Sequence, residues 1–152
     1  ANKDATEEMM NAVIEKVALK QFLQEQDGLM TIVMENGSNL SGGQRQRIGL
    51  ARALLSDASV FIFDEATSNI DVESEQLIMD VIGELSTDHV VIVISHRLAN
   101  TVSARNIYVL ENGHVKEFGT HDELLRNKNK YYDLYTTQMQ YEQFIGGESD
   151  GQ

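Results

Sequence analysis

Asn39-Leu40-Ser41-Gly42-Gly43-Gln44-Arg45-Gln46-Arg47-Ile48-Gly49-Leu50-Ala51-Arg52 is followed, eight residues later, by Val60-Phe61-Ile62-Phe63-Asp64-Glu65. Ser41 and Gln44 fit an S-x-x-Q capping box, so a helix is predicted from Ser41 to about Ser56, with Ile48, Ala51, Leu54 and Leu55 as its apolar stripe. The glycine pair has two readings. One is a capped helix after a loop. The other is an anion site, since a helix N-terminus presents bare N–H donors and glycines let backbone approach a ligand closely. The capping box alone does not choose between them. Val60 to Phe63 is short and wholly apolar, which suits a central strand of a parallel sheet, buried on both faces.

Working outward, Asp71 is a good N-cap, and Leu77, Ile78, Val81, Ile82 and Leu85 give the following helix a core face. His89 to Ile94 reads as a second buried strand. Strand, helix and strand over this length make a βαβ unit with a parallel pair. In such a sheet ligands gather outside the carboxyl ends of the strands. Asp64 and Glu65 end the first strand, and His96 lies two residues past the second. A hard Mg²⁺ keeps several waters, so one carboxylate such as Asp64 suffices to hold it. Glu65 could orient or deprotonate an attacking water, and His96 could donate to a terminal phosphate oxygen.

Upstream, about Thr6 to Gln26 reads as one helix, although Thr6 lacks a capping acid at the right spacing. Downstream, Arg97 to about Ser103 suits a short helix. Asn112-Gly113 between Asn106–Leu110 and His114–Phe118 is a hairpin signal, and Thr120 with Glu123 makes a second capping box. Tyr131 to Phe144 reads as a terminal helix with an aromatic face, followed by a polar tail.

Composition bounds the partners. The 152 residues carry a formal charge of −12, which argues against nucleic acid or an anionic membrane surface. Basic charge gathers at Arg45, Arg47 and Arg52, while no Lys or Arg occurs from Ala53 through His96. Glu73, Glu75, Asp80, Glu84 and Asp88 read as a solvated face; Asp64 and Glu65, directly after four apolar residues, do not. There is no cysteine, no proline, no run near the ~18 apolar residues of a membrane span and no signal peptide pattern.

Together these residues resemble the ATP-binding domain of ABC transporters. Leu40-Ser41-Gly42-Gly43-Gln44 matches the family signature, and Val60 to Asp64 is similar to its Walker B strand, with Glu65 at the catalytic glutamate. Ser68-Asn69-Ile70-Asp71 resembles the D-loop, and Ser95-His96-Arg97-Leu98 the switch-histidine segment in its exporter form. The resemblance implies a P-loop NTPase-like α/β fold, here partial, with a parallel central sheet, flanking helices and a remnant of the helical subdomain. It implies ATP and Mg²⁺ as cofactors, with Asp64 serving the metal, Glu65 the water and His96 the γ-phosphate. Ser41, Gly42, Gly43 and Gln44 would face nucleotide held by a second nucleotide-binding domain in a head-to-tail dimer, and Asp71 would couple the two sites.

By the same resemblance, residues 1–40 belong to the helical subdomain, which contacts the transmembrane domains. Residues 41–130 form the α/β core, 131–145 the terminal helix and 146–152 a flexible tail. No G-x-x-x-x-G-K-[ST] loop occurs, and no Gly precedes a Lys. The chain is therefore expected to be the C-terminal portion of a longer domain, soluble and inactive alone. Its parent would be an ATPase driving export at the cytoplasmic face of a membrane. A soluble ATPase of DNA repair or translation, or an importer subunit, is the alternative. The transported substrate and the fusion to a membrane domain are not legible.

Overall fold

The computed structural model describes residues 2–56 and 58–147. The chain divides into two compact units, 1–94 and 95–152. The first contains α1 (Glu7–Lys16), α2 (Lys20–Gln24), α3 (Gly42–Leu54), β1 (Val60–Asp64), α4 (Val72–Leu85) and β2 (Val90–Ile94), with 3-10 turns at Gly28–Met30 and Glu35–Gly37. The second contains a 3-10 turn at Leu98–Thr101, β3 (Ile107–Glu111), β4 (His114–Gly119), α5 (His121–Asn127) and α6 (Lys130–Gly147).

In the first unit β1 and β2 pair in parallel, with Val60 opposite Val90 and Asp64 opposite Ile94, as expected of a βαβ unit. Phe61 and Phe63 point into a core shared with Val17, Leu19, Leu50, Ile78, Val81 and Ile82. The expectation that these strands are buried on both faces fails. Ile62 is 64% exposed and Ile92 46%, because the core of this unit lies against one face and, among the described residues, nothing covers the other. His89 also falls outside β2. Its backbone N–H closes the end of α4 on Leu85 O at 3.2 Å, and its ring stands edge-on to Phe61.

The single helix expected from Thr6 to Gln26 is broken. Thr6 does cap α1, its hydroxyl accepting from Met9 N–H at 3.2 Å. At the far end Ala18 N–H donates to Glu15 O and Leu19 N–H to Ile14 O, the paired bonds of a Schellman stop. Ala18 takes the left-handed conformation this needs, at φ 50°. Leu19, 2% exposed, then buries its side chain in the core beside Ile14. No glycine announces the stop, so periodicity ran straight through it.

The second unit is built on an antiparallel hairpin. Asn112 and Gly113 both have positive φ, the two-residue turn whose twist matches the strands. Ile107, Val109, Leu124 and Tyr131 form its core. Thr120 and Glu123 make the expected capping box at α5. Of the tail expected at 146–152, Gly146 and Gly147 lie within α6, and residues 148–152 fall outside the described set. No described helix is long and apolar enough to cross a membrane.

Left-handed backbone costs an L-residue about 1–2 kcal/mol, and glycine escapes that cost while losing more chain entropy. Ala18→Gly should therefore raise unfolding free energy by about 0.5–1 kcal/mol, and Ala18→Val should lower it by more than that. Urea unfolding followed by circular dichroism checks both; a destabilised Ala18→Gly would show that the stop is held by something other than its backbone geometry.

Candidate active site

The first turn of α3 forms as its residues predict. Gln44 N–H donates to Ser41 Oγ at 3.1 Å, and Ser41 N–H donates to Gln44 Oε1 at 2.8 Å. Ser41 and Gln44 are thus engaged with each other. Gly42 and Gly43 do something the sequence did not disclose. A methyl group on Gly42 would lie 3.0 Å from Asn69 O, and one on Gly43 would lie 2.5 Å from Ser74 Oγ and 3.3 Å from Asp71 Oδ2. The glycines admit the chain's own loop 69–74, bringing the N-terminus of α3 against that of α4. Ser41 to Gln44 and Asp71 therefore share one place in the structure.

Asp71 caps α4, accepting from Ser74 N–H at 2.8 Å. That bond holds its carboxyl below the usual carboxylate range, and the positive charge of Arg47 adds a lesser pull in the same direction. Because the folded-state value is depressed, this contribution to stability is present at neutral pH. It fades only as pH falls below the ordinary aspartate value of about 4.

Arg45 and Arg47, of the arginines that cluster after the glycines, have structural partners. Arg45 donates to Leu40 O at 2.7 Å and to Gly37 O at 3.3 Å. Arg47 donates to Gly43 O at 3.3 Å and to Ala18 O at 3.0 Å, reaching the carbonyl beside the Schellman stop. Asn39 completes the set, accepting from Met34 N–H and donating to Ile32 O, each at 3.0 Å. The decisive stretch thus satisfies backbone groups of the loops before it.

Asp64 and Glu65 stand at the carboxyl end of the parallel pair. Glu65 N–H extends the ladder by donating to Ile94 O at 2.9 Å, and Glu65 O accepts from Ser68 N–H at 3.0 Å. Between those bonds Glu65 sits in left-handed backbone, at φ 48°. A glutamate there is uncommon, and such conformations concentrate where chemistry demands the side chain. Both side chains are exposed. No group of three or more acidic, His or Cys side chains converges among the described residues. That donor set does not fit an all-protein metal cage. It does fit a Mg²⁺ held by one carboxylate, with phosphate and water oxygens completing its shell.

His96 is exposed and opens the second unit. Its backbone is bracketed by a Ser95 turn, in which Ser95 Oγ accepts from Arg97 N–H at 2.9 Å and donates to Arg97 O at 3.1 Å.

Three buried polar residues were not foreseen from the sequence, the first being Thr67, 6% exposed, in the turn after β1. Ser74, 7% exposed, packs on Gly43, and Glu75, 6% exposed, is not on the solvated face assigned to it. For these two the signal was available. Ser74 and Glu75 continue the inward stripe of Ile78, Val81, Ile82 and Leu85.

The chain is similar to known proteins over nearly its whole length. Residues 2–68 match the family described as ABC transporter. A Haemophilus influenzae protein described as an uncharacterized ABC transporter ATP-binding protein is 48% identical over 143 residues, covering 94% of this chain and 26% of its own length. An ATP-dependent lipid A-core flippase of Idiomarina loihiensis is 45% identical over 140 residues, covering 91% of this chain and 24% of the flippase. The solved structure of a bacterial Atm1-family ABC exporter with ATP bound superposes with a TM-score of 0.85 at 32% identity, over 91% of this chain and 24% of that one. The chain therefore spans about a quarter of the length of the curated relatives it matches. With the signature helix, the Walker B strand and these similarities in agreement, the chain belongs to the ABC transporter ATP-binding family.

Proposed function

We propose that the protein carrying this chain hydrolyses ATP to drive export across a membrane. The observation that carries the reading is the carboxylate pair at the end of β1, with Glu65 held in an unfavourable backbone conformation at the edge where a parallel sheet presents its ligands. Asp64 would take Mg²⁺, which supplies charge neutralisation for the transferred phosphate when bound. Glu65 would accept a proton from the attacking water, and His96 would donate to the γ-phosphate.

Ser41, Gly42, Gly43 and Gln44, at a helix N-terminus where Ser41 is exposed and Gly43 buried, would face nucleotide on a second ATP-binding domain in a head-to-tail dimer. Asp71, seated against Gly43, would carry contact between the two sites. An exposed apolar run supports transmembrane domains as the other partner: Met30 is 81% exposed, Ile32 77% and Met34 60%. It lies within residues 1–40, the segment assigned to the helical subdomain. These partners would place the chain at the cytoplasmic face of a membrane. The flippase and exporter among the similar proteins favour export over import or a soluble role.

In the full-length protein, Glu65→Gln should lower ATP turnover by roughly 100-fold or more while leaving ATP binding intact, since a positioned base contributes about that much. Phosphate release and nucleotide binding measured side by side check this; turnover at the normal rate would remove Glu65 from the role of base. The 152-residue chain alone lacks the loop that cradles the β- and γ-phosphates. It should give no saturable heat with Mg-ATP at micromolar concentrations in calorimetric titration. Micromolar binding would mean that the chain holds nucleotide by other groups.

A further inference from the structure

His96 is an exposed residue on a short turn, yet its backbone is pinned on both sides. Before it stands Ser95, whose hydroxyl closes the turn on Arg97. After it, Leu98 begins the 3-10 turn Leu98–Thr101. The first N–H groups of any helical turn have no partner within it. Here the Leu98 N–H donates to Gln138 Oε1 at 2.8 Å, across 40 residues of sequence. Thr101 Oγ1 donates back to Leu98 O at 2.7 Å, and the Leu98 side chain packs on the core that contains Tyr131.

Gln138 is well placed to hold this turn. Tyr131, Tyr135 and Gln138 fall at helical positions i, i+4 and i+7 of α6, a single stripe facing inward. Tyr131 is fully buried and Tyr135 half-buried, and the two rings stack at 6.0 Å between centroids. The third position of that stripe would ordinarily be apolar. A glutamine there, with its carbonyl oxygen meeting a backbone donor, makes α6 a fixed reference for the turn that follows His96. α6 is itself anchored at its start, where Tyr131 N–H donates to Glu117 Oε1 at 3.2 Å.

We propose that Gln138 is a positioning residue for His96, setting where the imidazole meets the terminal phosphate. This rests on the role given to His96 above. What the turn needs from Gln138 is an acceptor. Glu supplies one at the same reach; Leu and Met fill similar volume without one and leave the Leu98 N–H unmet.

The test uses the full-length protein and steady-state ATP hydrolysis. Gln138→Leu and Gln138→Met should lower kcat about tenfold or more with KM for ATP little changed, since small misplacements of a catalytic group have costs of that order. Gln138→Glu should restore most of the rate. Added to His96→Ala, Gln138→Leu should lower the residual rate no further, because a residue that acts through His96 has nothing left to position. Equal losses in both backgrounds would make the role of Gln138 merely structural and overturn the proposal. Normal kcat in Gln138→Leu beside an inactive His96→Ala would overturn the positioning role alone. Normal turnover in His96→Ala would overturn the assignment of His96, and the positioning role with it.

Discussion

Two helix N-termini meet at a point with no room for a side chain, and much of the first unit depends on that contact. The starts of α3 and α4 both carry the positive end of a helix dipole, so bringing them together is unfavourable unless negative charge lies between them. Asp71 supplies it. Its carboxylate caps α4 and lies against Gly43 of α3. Any residue larger than glycine at position 43 would strike Ser74 and separate the two ends. The pairing of signature and D-loop residues is thus a packing constraint first, and any role in sensing nucleotide is built on it.

Around that contact, side chains that look made for phosphate are engaged elsewhere. Arg45 and Arg47 each serve two backbone carbonyls, and Asn39 closes the loop before the helix. Buried or half-buried carbonyls without partners cost more than an exposed ion pair returns, which favours such use of guanidinium groups. These guanidinium groups and the Asn39 amide are thus tied to the chain's own backbone.

What the sequence made legible was local. Both capping boxes, the Asn112-Gly113 turn and the βαβ pairing depend on neighbours a few residues apart or on one short crossover, and all formed as read. What it hid depended on tertiary context. Ala18 ends a helix in a conformation usually left to glycine, because burial of Leu19 makes the turn worthwhile. The strands are apolar on both faces while the core of their unit lies on one, so composition overstated their burial. Glu75 was read by its charge when its place in the stripe of α4 put it inside. At the candidate site the residue types were legible, because carboxylates after an apolar strand are chemically distinctive. The packing that joins Gly43 to Asp71, and the reach of Gln138 to Leu98, were not, since nothing in the order of residues forecasts contacts between distant elements.

Glu65 occupies a backbone conformation that glycine or asparagine adopts at less cost, by about 1 kcal/mol. On the role proposed for Glu65, folding and turnover favour different residues at this one position. A library of variants sorted for resistance to proteolysis would drift toward glycine or asparagine there, and the same library sorted for hydrolysis would return to glutamate. Disagreement between two such enrichments, position by position, would outline a catalytic centre from selection alone.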